Sequence, residues 1–187
     1  MSLVETIKGH FDRCVISKYD GLSIDHPIIF LNSIKNIIGD DKDQPSKILL
    51  NSLGQTSNQY PKREDDQEFL DQIAKKGIGL TVFTSDLIES CANYDYEKME
   101  QEAARLHLVS ENGLSAFEIL IELALHDFNR LGLFTYHLHR VMNFDKEIVG
   151  TWHYTRCLIK EIVKTELPHA HENIEIKFDI DNNIYNN

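Results

Sequence analysis

Cysteine is scarce in this chain. There are 3 in 187 residues, Cys14, Cys91 and Cys157, far apart and with no C-x-x-C pair among them. An odd count leaves one thiol over from any disulfide framework, and a chain of this length can bury a core without staples. Three reduced, mostly buried thiols in a cytoplasmic protein are therefore expected. Long apolar runs are missing too. Nothing approaches the roughly 18–20 residues of a membrane span, and Met1-Ser2-Leu3-Val4-Glu5 lacks the basic-then-apolar order of a signal peptide. Positive charge is in deficit: 19 Lys and Arg against 30 Asp and Glu give a net charge of −11. That balance argues against a nucleic-acid backbone as partner. No G-x-S-x-G, Walker loop, G-x-G-x-x-G or H-E-x-x-H occurs. Gly77-Ile78-Gly79 stands before an expected strand rather than after one, so it is no phosphate cradle.

What is present is ordinary globular composition, 42% hydrophobic and 26% charged, and one domain over 1–187 is expected. Leu3, Ile7 and Phe11, four apart, suit a helix, although Cys14-Val15-Ile16 reads equally as a short strand. Asp25 as cap, Pro27 in the first turn and Gly39 at the close frame a helix whose apolar face is Phe30, Leu31, Ile34, Ile37 and Ile38. Lys47 to Leu50 reads as a buried strand. Gly54 to Arg63, without hydrophobic pattern, reads as a loop. Glu64 to Lys76 reads as a helix with acids in its first turn and Lys75-Lys76-Gly77 at its end, matching the macrodipole. Ile78 to Thr84 is rich in β-formers and is expected to be a strand, which makes 47–84 a candidate right-handed βαβ unit.

The second half reads as helical. Asp86 with Glu89, and Ser115 with Glu118, have the spacing of capping boxes. A helix is expected over 96–109, a long one over about 116–142, and another over about 146–166 before Pro168. The tight turn between the last two places them antiparallel and side by side. Ile174, Ile176, Phe178 and Ile180 alternate with charged residues, the pattern of a half-buried strand. A frayed tail follows at 182–187. The expected fold is thus α+β and helix-dominated: an antiparallel long-helix pair with further helices on a small sheet (47–50, 78–84, 174–180).

Two four-apart triplets have donor types suited to a metal, Glu118–Glu122–His126 and His153–Cys157–Glu161. At about 100° per residue both lie opposite the apolar face of their helix. They therefore read as solvated faces, and no metal or cofactor is expected. His137 and His139 diverge by about 160° on a helix and cannot share an ion. His169 and His171 lack a third ligand. Asp127 falls inside the apolar stripe of the long helix, where a lone carboxylate needs a partner. His139 lies at the edge of that stripe, His107 borders the preceding helix face, and Arg156 sits near the edge of the last one. Asp127, His107, His139 and Arg156 are accordingly the candidate ligand-binding residues, with a buried ion pair as the bland reading. Two functional readings follow. The first is an acidic protein–protein interaction protein, an adaptor, chaperone-like partner or inhibitor, compatible with homo-oligomers and without nucleic-acid or membrane partners. The second is a small enzyme or ligand-binding protein, metal-dependent or not, with a pocket between 47–84 and the helical half.

Overall fold

The computed structural model describes residues 2–144 and 151–168. Those residues form nine α-helices, α1 (Leu3–Val15), α2 (Pro27–Asp40), α3 (Lys47–Asn58), α4 (Asp66–Lys76), α5 (Thr84–Ala92), α6 (Tyr96–Val109), α7 (Ser115–Ala124), α8 (Phe128–Met142) and α9 (Thr151–Ile162). Two 3₁₀ turns, Ser23–Asp25 and Leu125–Asp127, complete the order. Among the described residues there is no sheet. The β pairing found there is a single antiparallel bridge between Ser17 and Lys62.

The α+β expectation is therefore corrected to an all-helical fold over the described residues. Lys47–Leu50 opens α3, because the inward-facing series continues from Leu49 and Leu50 to Leu53 and the buried Ser57 at helical spacing. The expected loop at 54–63 is in large part the second half of that helix. Residues 78–83 have β-formers but no strand beside them. Leu80 stands in solvent, and the carbonyls of Ile78 and Thr81 accept from the Arg105 guanidinium instead of a ladder. The expected strand 174–180 and the tail 182–187 lie outside the described residues, as do His169 and His171.

The long helix expected over 116–142 is two helices. Asp127 (φ −105°, ψ 62°) leaves helical geometry, and its carboxylate accepts from the Arg130 N–H to cap α8. The expected capping boxes at Asp86 and Ser115 do not form, since α5 starts at Thr84 and α7 already contains Ser115. A reciprocal box forms at α1, where Ser2 and Glu5 bond each other's backbone N–H. His26, not Asp25, caps α2, its Nδ1 accepting from the Ile28 N–H. α4 ends at Lys76 as its pattern predicts, and Gly77 follows at φ +89°, which glycine takes without strain.

Packing centres on α9, which touches α1, α6, α7 and α8. α2 lies against α1, α3 and α8, while α4 and α5 cover α6. Arg130 at the start of α8 donates to the carbonyls of Glu161, Ile162 and Thr165 at the end of α9. The pair therefore runs antiparallel, and the orphan carbonyls of α9 are satisfied from its neighbour. Phe11, Ile28, Leu31, Leu53, Leu87, Met99, Phe117, Leu120, Leu131, Phe134, Leu138 and Leu158 fill the core.

Candidate functional site

The first turn of α4 meets the middle of α9 with charge on both sides. Asp66 is 3% exposed, Arg63 and Arg156 are each 4% exposed, and Glu100 of α6 is 6% exposed. Asp66 Oδ1 accepts from Arg63 Nε at 3.0 Å and from Arg156 Nη1 at 2.5 Å. Its Oδ2 accepts from Arg63 Nη2 at 3.2 Å and from His153 Nδ1 at 2.5 Å. Both oxygens are thus fully used. Arg156 donates on to Glu100 Oε1 at 2.9 Å and to Asp65 Oδ2 at 3.2 Å. The Tyr96 hydroxyl donates to the same Glu100 oxygen at 2.7 Å. Beneath the network the Phe69 and Trp152 rings stack, Arg156 lies over Phe69, and the Trp152 indole N–H donates to the Asp66 carbonyl. The rings keep water from one side, which strengthens every pair above them.

Titration follows from this arrangement. Burial by itself raises the Asp66 carboxyl. The hydrogen bonds from His153 and Arg63, with the charges of Arg63 and Arg156, nevertheless hold it well below the usual carboxylate range. Burial works against the Arg156 charge, and its bonds to Glu100 and Asp65 more than offset that. Tyr96 is pushed up by burial and by its bond to Glu100. Lys160 is pushed down by burial and by the neighbouring charges of Arg63 and Arg156. Asp66 is therefore a fixed anion rather than a proton donor.

The network opens on a cleft of about 560 Å³ lined by Lys18, Arg63, Glu64, Asp65, Glu68, Tyr96, Arg156 and Lys160. Lys18 reaches it because residues 16–18 pair with 61–63 through two backbone bonds, Lys18 N–H to Pro61 and Arg63 N–H to Ile16. The sequence-predicted candidates divide. Arg156 is at the centre of the network. His107 stands behind it, tilted against Trp152 at 5.6 Å, with its Nδ1 donating to the Gly113 carbonyl. Asp127 is half-buried at the start of α8 and pairs with Arg130 at 2.6 Å, not with Arg156. His139 is exposed on α8. The structure does not bring these four together.

The triplet on α9 also differs from expectation. Its side of the helix is not solvated: Cys157 and Glu161 are buried, and the three residues take separate partners. His153 bonds Asp66, Cys157 lies 3.9 Å from His26 Nε2, and Glu161 pairs with Lys164. The Glu118–Glu122–His126 triplet is exposed. Among the described residues no group of three or more His, Cys, Asp or Glu is placed to hold a metal ion.

Nucleophiles are equally unprepared. Burial pushes Cys91 and Cys157 up to about 12 and Cys14 higher still. A buried thiol of that kind is inert. Ser57 Oγ is shared between His10 Nδ1 at 2.9 Å and the Gly54 carbonyl at 3.2 Å, away from the charged network. The residues that sequence reasoning missed are Asp65, Asp66, Arg63, Glu100 and Lys160. One signal is present in the sequence: the acids at the start of α4 complement the helix dipole, and two of them, Asp65 and Asp66, also pair with Arg156. No family model, curated protein or solved structure matches this chain.

Proposed function

We propose that this chain binds a small polar ligand in the cleft between the 63–68 segment and the helices α6 and α9. One observation carries the reading: Arg63 and Arg156, nearly out of water and held by the buried Asp66 and Glu100, line an open cleft. Buried ion pairs are a poor source of stability, since apolar residues of similar volume do as well or better. Desolvated, mutually perturbed charges beside a cleft are more typical of sites. With every oxygen of Asp66 engaged and no prepared nucleophile, the arrangement favours binding over covalent chemistry. No helix among the described residues is long and apolar enough to cross a membrane. A cytoplasmic location belongs to the same proposal and is supported by three buried free thiols.

The test is a thermal-shift survey of small polar molecules, followed by amide shift mapping. A ligand that raises the melting temperature and shifts the amides of 63–68 and 156–160 supports the reading by linkage. Ligands that map elsewhere, or none at all, overturn it.

A second reading, an acidic protein-interaction module, is favoured by a different observation. Leu22 and Ile24 are exposed on a second cleft of about 480 Å³ with Asn129, Arg130 and Lys164, and Phe128 is exposed at the same end of α8. Single exposed apolar residues are commonplace, but grouped ones mark contact surfaces. Under this reading a partner is lost on Leu22→Ser with Phe128→Ser, and added salt slows its association.

A further inference from the structure

Three features around the polar cleft are left without a full set of partners. Lys160 is half-buried, yet its ammonium makes no hydrogen bond or ion pair to any described residue. Burial and the two guanidinium groups beside it disfavour its charge. Arg63 is 96% buried by the complement of its 4% exposure, and its Nη1 has no hydrogen-bond partner. α4, a helix of 11 residues, begins at Asp66 without a side-chain cap, because the Asp65 carboxylate is turned to Arg156. The first N–H groups of a helix attract negative charge when nothing caps them. Other half-buried cations among the described residues are occupied: Arg105 bonds Glu102, Arg130 bonds Asp127, Lys164 bonds Glu161, and Lys35 lies over the Phe144 ring.

We propose that the cleft holds a compact oxyanion, a phosphate or carboxylate group of a small molecule, between Lys160 and Lys18 and above Arg63. The inference rests on the ligand-binding reading and names the ligand's chemistry. Lys18 is exposed at the mouth, and its side chain has no hydrogen-bond or ion-pair partner among the described residues. Two ammonium groups act as point charges on an oxyanion, and Arg63, which also lines the cleft, carries one N–H without an acceptor. The remaining lining argues for size. Glu64, Asp65 and Glu68 rim the same cleft. They repel a polyanion that extends past it while leaving room for a ligand whose other end is neutral or cationic. The carboxylates thus explain how an acidic protein can accept one phosphate and refuse a nucleic acid.

The experiment uses the whole chain with inorganic phosphate as probe, by isothermal titration and thermal shift at low ionic strength, against chloride at equal ionic strength. Phosphate is expected to raise the melting temperature and to shift the Gln67 and Glu68 amides. Lys160→Gln should weaken binding about tenfold, the loss of one charge-assisted contact. Lys18→Gln should weaken it less, and Arg140→Gln, on the far side of α8, should leave it unchanged. Lys160→Arg restores a cation and should recover most of the affinity, which separates charge from folding damage. Equal affinity in Lys160→Gln and in the parent overturns the inference. Ethanolamine provides the second arm. If it stabilises the chain and phosphate does not, with Glu64→Gln abolishing the effect, the cleft binds a ligand and the oxyanion assignment is wrong. If neither probe moves the melting temperature, the oxyanion assignment fails; the ligand-binding reading fails only if the wider survey is silent too.

Discussion

α8 and α9 lie side by side, 15 and 12 residues long, and both are amphipathic in sequence. α8 behaves as its pattern says. Leu131, Phe134, Leu138 and Val141 are buried, while Asn129, Leu133, Tyr136, His139 and Arg140 are exposed. α9 does not. Ten of its twelve residues are buried, among them Arg156, Cys157 and Glu161. The difference lies in what stands opposite. Outside α8 there is water, whereas the polar side of α9 meets Asp65, Asp66 and Glu100, with His26 and Lys164 further along. Periodicity separates polar from apolar faces. It does not say that the polar one is wet.

The strongest way to break this comparison is to remove the acid that makes the polar side of α9 tolerable. Asp66→Ala leaves Arg63 and Arg156 facing each other without their shared acceptor and is expected to cost about 3–5 kcal/mol in urea unfolding. A loss under about 1 kcal/mol would mean that water reaches the guanidinium groups and that α9 is no more buried than α8. Asp66→Asn keeps the shape but not the charge, so it should fall between.

Acid provides the next test, at the contact between the two helices. His26 packs its ring on Phe134 of α8 at 4.8 Å and faces Cys157 of α9. Its Nδ1 is already an acceptor for the Ile28 N–H, so protonation there removes the α2 cap. Burial, aided by the charges of Lys164 and Arg63, lowers its pKa from 6.5 to about 3. The sign follows from linkage. The unfolded chain takes up the proton first, so His26 contributes stability that is full above 6.5 and declines as pH falls toward 3. The slope is at most about 1.4 kcal/mol per pH unit for one proton. His10, His107 and His137, also lowered chiefly by burial, act in the same direction, and Glu161, raised by burial, opposes them. His26→Asn keeps a capping acceptor without a titrating proton and should reduce the slope between pH 6.5 and 5. An unchanged slope would remove His26 from the account. Asp66 enters lower than the histidines: its folded pKa is depressed, so its stabilisation is lost as pH falls from the ordinary carboxylate range toward the folded value.

These sites also show how much could be read beforehand. α2, α4 and α6 were legible because Pro27, the Lys75-Lys76-Gly77 close and unbroken periodicity are local signals. The runs 47–50 and 78–84 were not, since a few apolar residues have no period of their own. Length and a neighbouring strand decide such cases, and residues 78–83 have no strand beside them. Arg156 was visible as a candidate from its place at the edge of an apolar face. Its partners were not, because Asp66 is 90 residues away and Glu100 is 56 residues away. Nothing in one helix's pattern names the residues that fold against it. Asp127 misled for a related reason. Its place in the stripe assumed one continuous helix, and the carboxylate itself ends that continuity by capping α8.

Asp127 accordingly offers a smaller effect. Asp127→Ala removes an N-cap and one half-buried partner of Arg130, and should cost about 1 kcal/mol by thermal or urea unfolding. Arg130 keeps its three carbonyl acceptors at the end of α9, which limits the damage. A loss as large as that of Asp66→Ala would show that the α8 start is as desolvated as the middle of α9.

The smallest effect belongs to the exposed triplet. Glu118 and Glu122 of α7 project into water, and His126 lies in the 3₁₀ turn beyond it, also exposed. Glu118→Gln, Glu122→Gln and His126→Gln should each change stability by no more than about 0.5 kcal/mol, the range of surface substitutions without partners. They should also add, because no described hydrogen bond or ion pair joins them. The corresponding changes on α9 should not be neutral. His153→Gln weakens one of four bonds to Asp66, and Glu161→Gln strips Lys164 of its ion pair inside the fold. Two triplets with the same four-residue spacing would then differ in cost because one faces water and the other faces charge. Near-neutral values on both helices would put the polar side of α9 in solvent after all. Large values on α7 would mean that its acidic face is covered by something beyond the described chain.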